Sequence, residues 1–215
     1  IHLPMVSLSD ILHNSVAICE EVNKLCRPLE HFTHYLQQGY YPFGAEGFVT
    51  YNQRVENTVE LLLNIELPQL RKVDIGNIRK LKALLSVLAS EVPMLVDTAK
   101  LSTLLSISRN TLLAYLEYLD EAKLIRRLYS DDLSVKKMQK PDKILMDNCN
   151  LLKVLALKEP NIGTLRETFF CNQLGYQHQV EYSKQGDFLI DHQITFEIGG
   201  QAKEGKQVAA VENAY

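Results

Sequence analysis

Apolar residues recur three or four positions apart over most of the first 125 residues, which predicts a helical front half. From Leu8 to Cys26 the apolar row is Leu8, Ile11, Leu12, Val16, Cys19, Val22 and Cys26, with Ser9 and Asp10 as candidate caps. A second helix fits Pro28–Gln38, with proline in its first turn and Gly39 just past its end. An aromatic turn follows, Tyr40-Tyr41-Pro42-Phe43 ahead of Gly44, suited to plugging a core or meeting a partner. Thr50–Leu63 predicts a third helix that places Tyr51, Val55, Val59 and Leu62 on one face, closed by Pro68.

Ile78–Ala89, Asp97–Leu105 and Arg109–Ala122 predict three more helices, the last capped by Ser108. Leu124–Tyr129 then reads as a strand, Asp131-Asp132 as a turn and Val135 onward as a returning strand. Three helices and a hairpin are the layout of a winged helix-turn-helix. Beyond residue 140 the pattern shortens. Lys143–Asn148 predicts a strand and turn, Leu151–Leu157 a brief helix, and Thr164–Leu174 a longer one. Gly186–Asp191 and Ile194–Ile198 predict a hairpin turning at His192-Gln193. The expected class is α+β, in three parts: a helical region 1–72, a winged helix-turn-helix 73–140 and a C-terminal α/β domain 141–215.

Composition narrows the classes. With 215 residues, 46% hydrophobic and 23% charged, the chain is long enough for one large or several small cores. A net charge of −3 excludes a globally basic coat protein. No apolar run is long enough to span a bilayer, so no membrane partner is expected. Cys19, Cys26, Cys149 and Cys171 form no C-x-x-C pair, which suits reduced thiols and a cytoplasmic setting. Ile1-His2-Leu3-Pro4 has no initiator methionine or leader pattern and reads as the start of a piece of a longer protein.

Charge is uneven. Seven basic residues stand against three acidic ones between Lys123 and Lys143, on the expected wing. Arg109, Arg126, Arg127, Lys136 and Lys137 are the candidates for contact with the phosphates of double-stranded DNA. The helix from Ser108 ends on Glu117, Asp120 and Glu121, so a packing or protein-contact role is the plainer alternative.

Three acidic residues in the last part could converge: Glu167, Asp187 and Glu197. A hairpin turning near residue 192 puts Asp187 opposite Glu197, with Cβ atoms ~5 Å apart. Two such carboxylates repel unless a cation or proton lies between them, and Mg²⁺ favours oxygen ligands. Asp187 and Glu197 are therefore the candidate metal ligands. The alternative is ordinary surface carboxylates.

Glu, then Asp, then Glu-x-Lys on neighbouring strands is the PD-(D/E)XK arrangement, and the matching pieces are Arg166–Phe170, Gly186–Ile190 and Phe196–Gly200. In their order, these pieces resemble the bacterial AAA-type ATPases that carry domain of unknown function 4143. Leu3–Leu12, His34–Phe43 and Lys143–Asn148 are similar to that family's segments after the ATPase core, at its lid and at the start of its nuclease-like domain. The resemblance implies a helical lid, a winged helix and a restriction-endonuclease-like domain, with Glu167, Asp187, Glu197 and a lysine as catalytic set. It also implies ATP binding by the full-length parent alone, because no G-x-x-x-x-G-K-[ST] loop occurs here. Two residues after Glu197, where the motif lysine belongs, stands Gly199, and Lys203 is the nearest replacement. Val208–Tyr215 reads as the beginning of a further strand, as if the domain continued.

Three functions follow as expectations: a DNA-associated regulatory module with a degenerate nuclease-like domain, a Mg²⁺-dependent DNA phosphodiesterase, or a protein-interaction module that relays nucleotide state.

Overall fold

A computed structural model describes residues 5–47, 49–71, 75–130, 140–199, 208 and 211–215. The chain is α+β, with helices dominating its front half and two small antiparallel sheets at the back.

α1 (Leu8–Leu25) is capped by Ser7, two residues before the first candidate cap, Ser9. Ser7 Oγ accepts from Asp10 N and the Asp10 carboxylate accepts from Ser7 N, a reciprocal capping box. Only Leu8 and Leu12 of this helix pack onto a core, and no residue in it is fully buried. α2 (Pro28–Gln38) lies where its periodicity places it and buries Leu36. The aromatic turn becomes a short 3₁₀ segment, Pro42–Glu46, with Tyr41 and Phe43 packed on the larger core as a plug.

α3 (Tyr51–Leu61) does not stop at Pro68. It widens into a π turn at Leu62–Glu66 and continues as α4 (Leu67–Arg71). Leu67 N–H bonds Leu62 O, five residues back. A proline lacks an N–H and crowds the preceding turn, and a π turn just ahead of it relieves both constraints without ending the helix.

α5 (Ile75–Glu91), β1 (Met94–Leu95), α6 (Thr98–Leu105), α7 (Arg109–Glu121), β2 (Ile125–Leu128) and β3 (Lys143–Met146) follow in that order. Asp97 caps α6 and Ser108 caps α7, each accepting from backbone N–H groups of its first turn. The strands form one sheet of order β1-β3-β2, with Arg126 opposite Leu145 and Met94 opposite Ile144. The return strand expected from Val135 falls on 131–139, outside the described residues. The strand that pairs with β2 is β3, so the boundary expected at residue 141 falls one strand before this sheet is complete.

β3 is buried along its whole length and divides two cores by strand alternation. Ile144 and Met146 face the larger core with α3, α5, α7 and α8 (Cys149–Leu155). Leu145 faces a smaller one with Cys171, Phe188, Ile190 and Phe196. This second core lies between α9 (Ile162–Leu174) and the sheet β4 (Val180–Tyr182), β5 (Phe188–Ile190), β6 (Ile194–Phe196). Tyr182 N–H bonds Tyr129 O at 2.9 Å, which joins the two sheets edge to edge past the end of β2. The last residues run parallel to β6, with Thr195 bridged to Ala214.

Candidate functional site

Where α9, β3 and the start of β5 meet, a cavity of about 490 Å³ opens beside β1. Its charged lining is Lys143, Glu167, Lys184 and Asp187. Each is set there by its element. Lys143 begins β3, with its backbone paired to Leu128 on one side and Leu95 on the other. Its face of the strand is the face of Leu145, toward the second core. Its ammonium is 4.8 Å from the centroid of the Phe188 ring, and the residue is 6% exposed. Glu167 projects from the middle of α9 and accepts from Lys143 Nζ at 2.6 Å. Asp187 Oδ1 is 3.7 Å from the same nitrogen. Thus Glu167 and Asp187, widely separated in sequence, do converge, and they converge on a lysine that the sequence reading counted among the wing's basic residues and placed in a strand.

The hairpin register agrees with the expected one. Phe188 pairs with Phe196, which sets Asp187 opposite Glu197. Asp187 N donates to Phe196 O at 2.8 Å, and Asp187 Oδ2 accepts from Ile198 N at 2.7 Å. One carboxylate oxygen is therefore committed to β6. Glu197 is half-buried, its N–H bonded to Tyr215 O at 2.9 Å, and it does not line the cavity. Among the described residues no three His, Cys, Asp or Glu side chains are grouped so as to hold a metal. Mg²⁺ holds its oxygen ligands at about 2.1 Å. One Glu167 oxygen accepts from the Lys143 ammonium and one Asp187 oxygen from Ile198 N–H, so the carboxylates of this cavity are set around a lysine and do not fit that ion. Lys203 lies outside the described residues.

The cations assigned to DNA divide sharply. Arg109 is exposed at the first turn of α7, beside exposed Asn110. Arg126 and Arg127 are instead held by the fold. Arg127 Nε donates to Asp120 Oδ2 at 3.0 Å, and Arg126 Nε to Asp147 Oδ1 at 3.1 Å. Their side chains are only 20% and 19% exposed, which corrects their reading as free wing cations. In a strand paired to a buried partner, each successive side chain meets protein on one face or the other. Lys136 and Lys137 lie outside the described residues.

A second polar cluster went unread in the sequence. Asp147, 1% exposed, accepts from Arg126 and from Tyr40 OH at 3.3 Å. Tyr40 OH also meets Tyr176 OH at 2.7 Å. Asn172 Nδ2 donates to Asp147 O at 2.9 Å, and Asn148 Nδ2 to Tyr41 OH at 3.2 Å. Asn150 seals the seam. Its Nδ2 donates to Tyr35 O and Leu36 O at the end of α2, while its Oδ1 accepts from Tyr40 N and Tyr51 OH. Burial pushes the Tyr41 hydroxyl up to about 12, and the Tyr40 hydroxyl is raised for the same reason, helped by its bond to Tyr176. The one sequence signal was the dense run Asp147-Asn148-Cys149-Asn150 between two apolar stretches, where polar side chains must find partners or pay for desolvation.

The described helices include none long and apolar enough to cross a membrane. No curated protein matches the chain, and no solved structure does. A family model, Domain of unknown function (DUF8612), matches residues 29–161. That span runs from α2 to the cap of α9, so it contains Asp147, Asn150 and Lys143 but stops short of Glu167 and Asp187. It covers more than half of the 215 residues, and the chain belongs to the DUF8612 family.

Proposed function

We propose that the chain is a DNA-associated regulatory module from the C-terminal side of an AAA-type ATP-binding protein, with a nuclease-like domain that grips or scaffolds rather than cleaves. In this reading α1–α4 form the lid side, residues 75–146 a winged helix, and α9 with β4–β6 the nuclease-like part. ATP would be handled by the parent protein alone.

The observation that carries the proposal is the order of residues 75–146: helix, short strand, two helices, two strands, with the short strand beside the last one. That order supports a winged helix, in which the second helix of the pair enters a groove and the loop between the last strands flanks it. The N-terminus of α7 offers exposed Arg109 and Asn110. The acidic end of α7 is in part neutralised from within, since Asp120 pairs with Arg127 and Glu121 with Arg71. Lys136 and Lys137 follow β2 in the sequence, outside the described residues.

The test is fluorescence anisotropy of a labelled duplex over a range of salt. Affinity should fall steeply with salt, and Arg109→Ala, or Lys136→Ala with Lys137→Ala, should flatten the slope by about one unit per lost phosphate contact. Binding that is absent, or indifferent to salt, overturns the proposal. The rival reading is a Mg²⁺-dependent phosphodiesterase, which the Lys143 ammonium between Glu167 and Asp187 disfavours. A nicking assay with Mg²⁺ or Mn²⁺ separates the two: product lost in Asp187→Ala would establish the rival.

A further inference from the structure

A carboxylate pair in a cavity raises the question of which cation belongs there. Glu167 and Asp187 come from a helix and a strand that meet only in the folded chain. Two part-buried carboxylates that face one cavity repel each other unless a cation lies between them. The compensation is already present and covalently attached. Lys143 Nζ is 2.6 Å from Glu167 and 3.7 Å from Asp187.

We infer that Lys143 is the resident cation of this cavity, its ammonium standing where a divalent metal would have to bridge Glu167 and Asp187, so that the chain binds no such metal there. Three features hold the ammonium in place. Its backbone is clamped between two strands. Its stem is buried, and its charged end lies on the Phe188 ring. The second Asp187 oxygen is occupied by Ile198 N–H, so Asp187 is held near Oδ1 contact with the lysine. A divalent ion bridging Glu167 and Asp187 would sit within a few ångströms of a fixed positive charge, at a repulsion that grows steeply in a partly dry site. Lys184 at the rim adds a second positive charge to the lining.

The inference rests on this geometry and not on the nucleic-acid proposal. Metal binding and duplex binding are measured separately, so one can fail without the other.

The experiment is Mn²⁺ binding by paramagnetic resonance and calorimetry, on the whole chain. Wild type should show no Mn²⁺ site that Asp187→Asn or Glu167→Gln removes. Lys143→Met should gain one, at least roughly tenfold tighter than any wild-type binding, the direction set by removing one unit charge a few ångströms away. Adding Asp187→Asn to Lys143→Met should abolish the gain. Should Lys143→Met not fold by circular dichroism, Lys143→Gln keeps the chain length and a hydrogen-bond donor, and is read the same way. A wild-type site lost in Asp187→Asn overturns the inference. So does a folded Lys143→Met or Lys143→Gln protein that gains nothing, because the ammonium would then not be standing in for a metal.

Discussion

Two charge clusters lie at opposite ends of β3, and they are built for different roles. Around Asp147 every partner is supplied by the fold: Arg126, Tyr40 and Asn172 from three different elements. The arrangement fastens the aromatic turn, β2 and α9 together, and Asn150 extends it to α2 and α3. Around Lys143 two carboxylates share one ammonium, and one side is a cavity of about 490 Å³. A network closed on all sides by protein fixes a structure, whereas one that borders a cavity is where a ligand would have to enter. Burial alone does not distinguish them, since Asp147 is 1% and Lys143 6% exposed.

Mutations should separate the two clusters by size. Asp147→Ala leaves the Arg126 guanidinium half-buried without its carboxylate and should cost about 3–5 kcal/mol in urea unfolding. A loss below about 1 kcal/mol would mean that Arg126 finds water or another acceptor, and the saturated picture would be wrong. Gly175→Ala attacks the same pair sterically. A Cβ there would lie 2.1 Å from Arg126 Nη1, so the arginine must shift, at about 1–3 kcal/mol. Combined with Asp147→Ala its cost should shrink but not vanish, because the two changes damage one contact while the Cβ still crowds Cys171 O at 2.9 Å.

Glu167→Gln should cost less than either, about 1–2 kcal/mol, since Lys143 keeps Asp187 and gains access to water through the cavity. Equal losses for Glu167→Gln and Asp147→Ala would erase the distinction.

The thiols test the same partition without a stability readout. Burial pushes Cys149 and Cys171 up to about 12, one in each core. At mildly alkaline pH an alkylating reagent should modify exposed Cys19 and leave those two intact, as peptide mapping will show. Both thiols ionise near 8.5 when unfolded, so their contribution to stability is complete below that pH. It is lost progressively as pH rises toward the folded values. Urea midpoints that are flat from pH 8 to 10 would contradict this burial.

Much of the backbone was legible in the residues themselves. α2 and α7 fall where their apolar rows and caps place them, because a helical period and a Ser or Pro at its start are local properties. The β5–β6 register was legible too, since a short turn fixes strand pairing. Pro68 misled, because a π turn at Leu62–Glu66 absorbs it and the helix continues to Arg71. The strand at 143–146 was legible as a strand, but nothing local says that it pairs with residues 125–128 rather than with its own downstream neighbours.

The charges show the division most clearly. The sequence by itself set the basic surplus around residues 123–143, the three acidic residues of the tail and the polar run at 147–150. Tertiary structure alone decided that Arg126 and Arg127 turn inward to Asp147 and Asp120, and that Lys143 meets Glu167 and Asp187. A local pattern records which face a residue takes. The partner of a buried charge is chosen elsewhere in the chain, seven residues away for Arg127 and Asp120 and twenty-four for Lys143 and Glu167, and only the closed core sets which groups must neutralise each other.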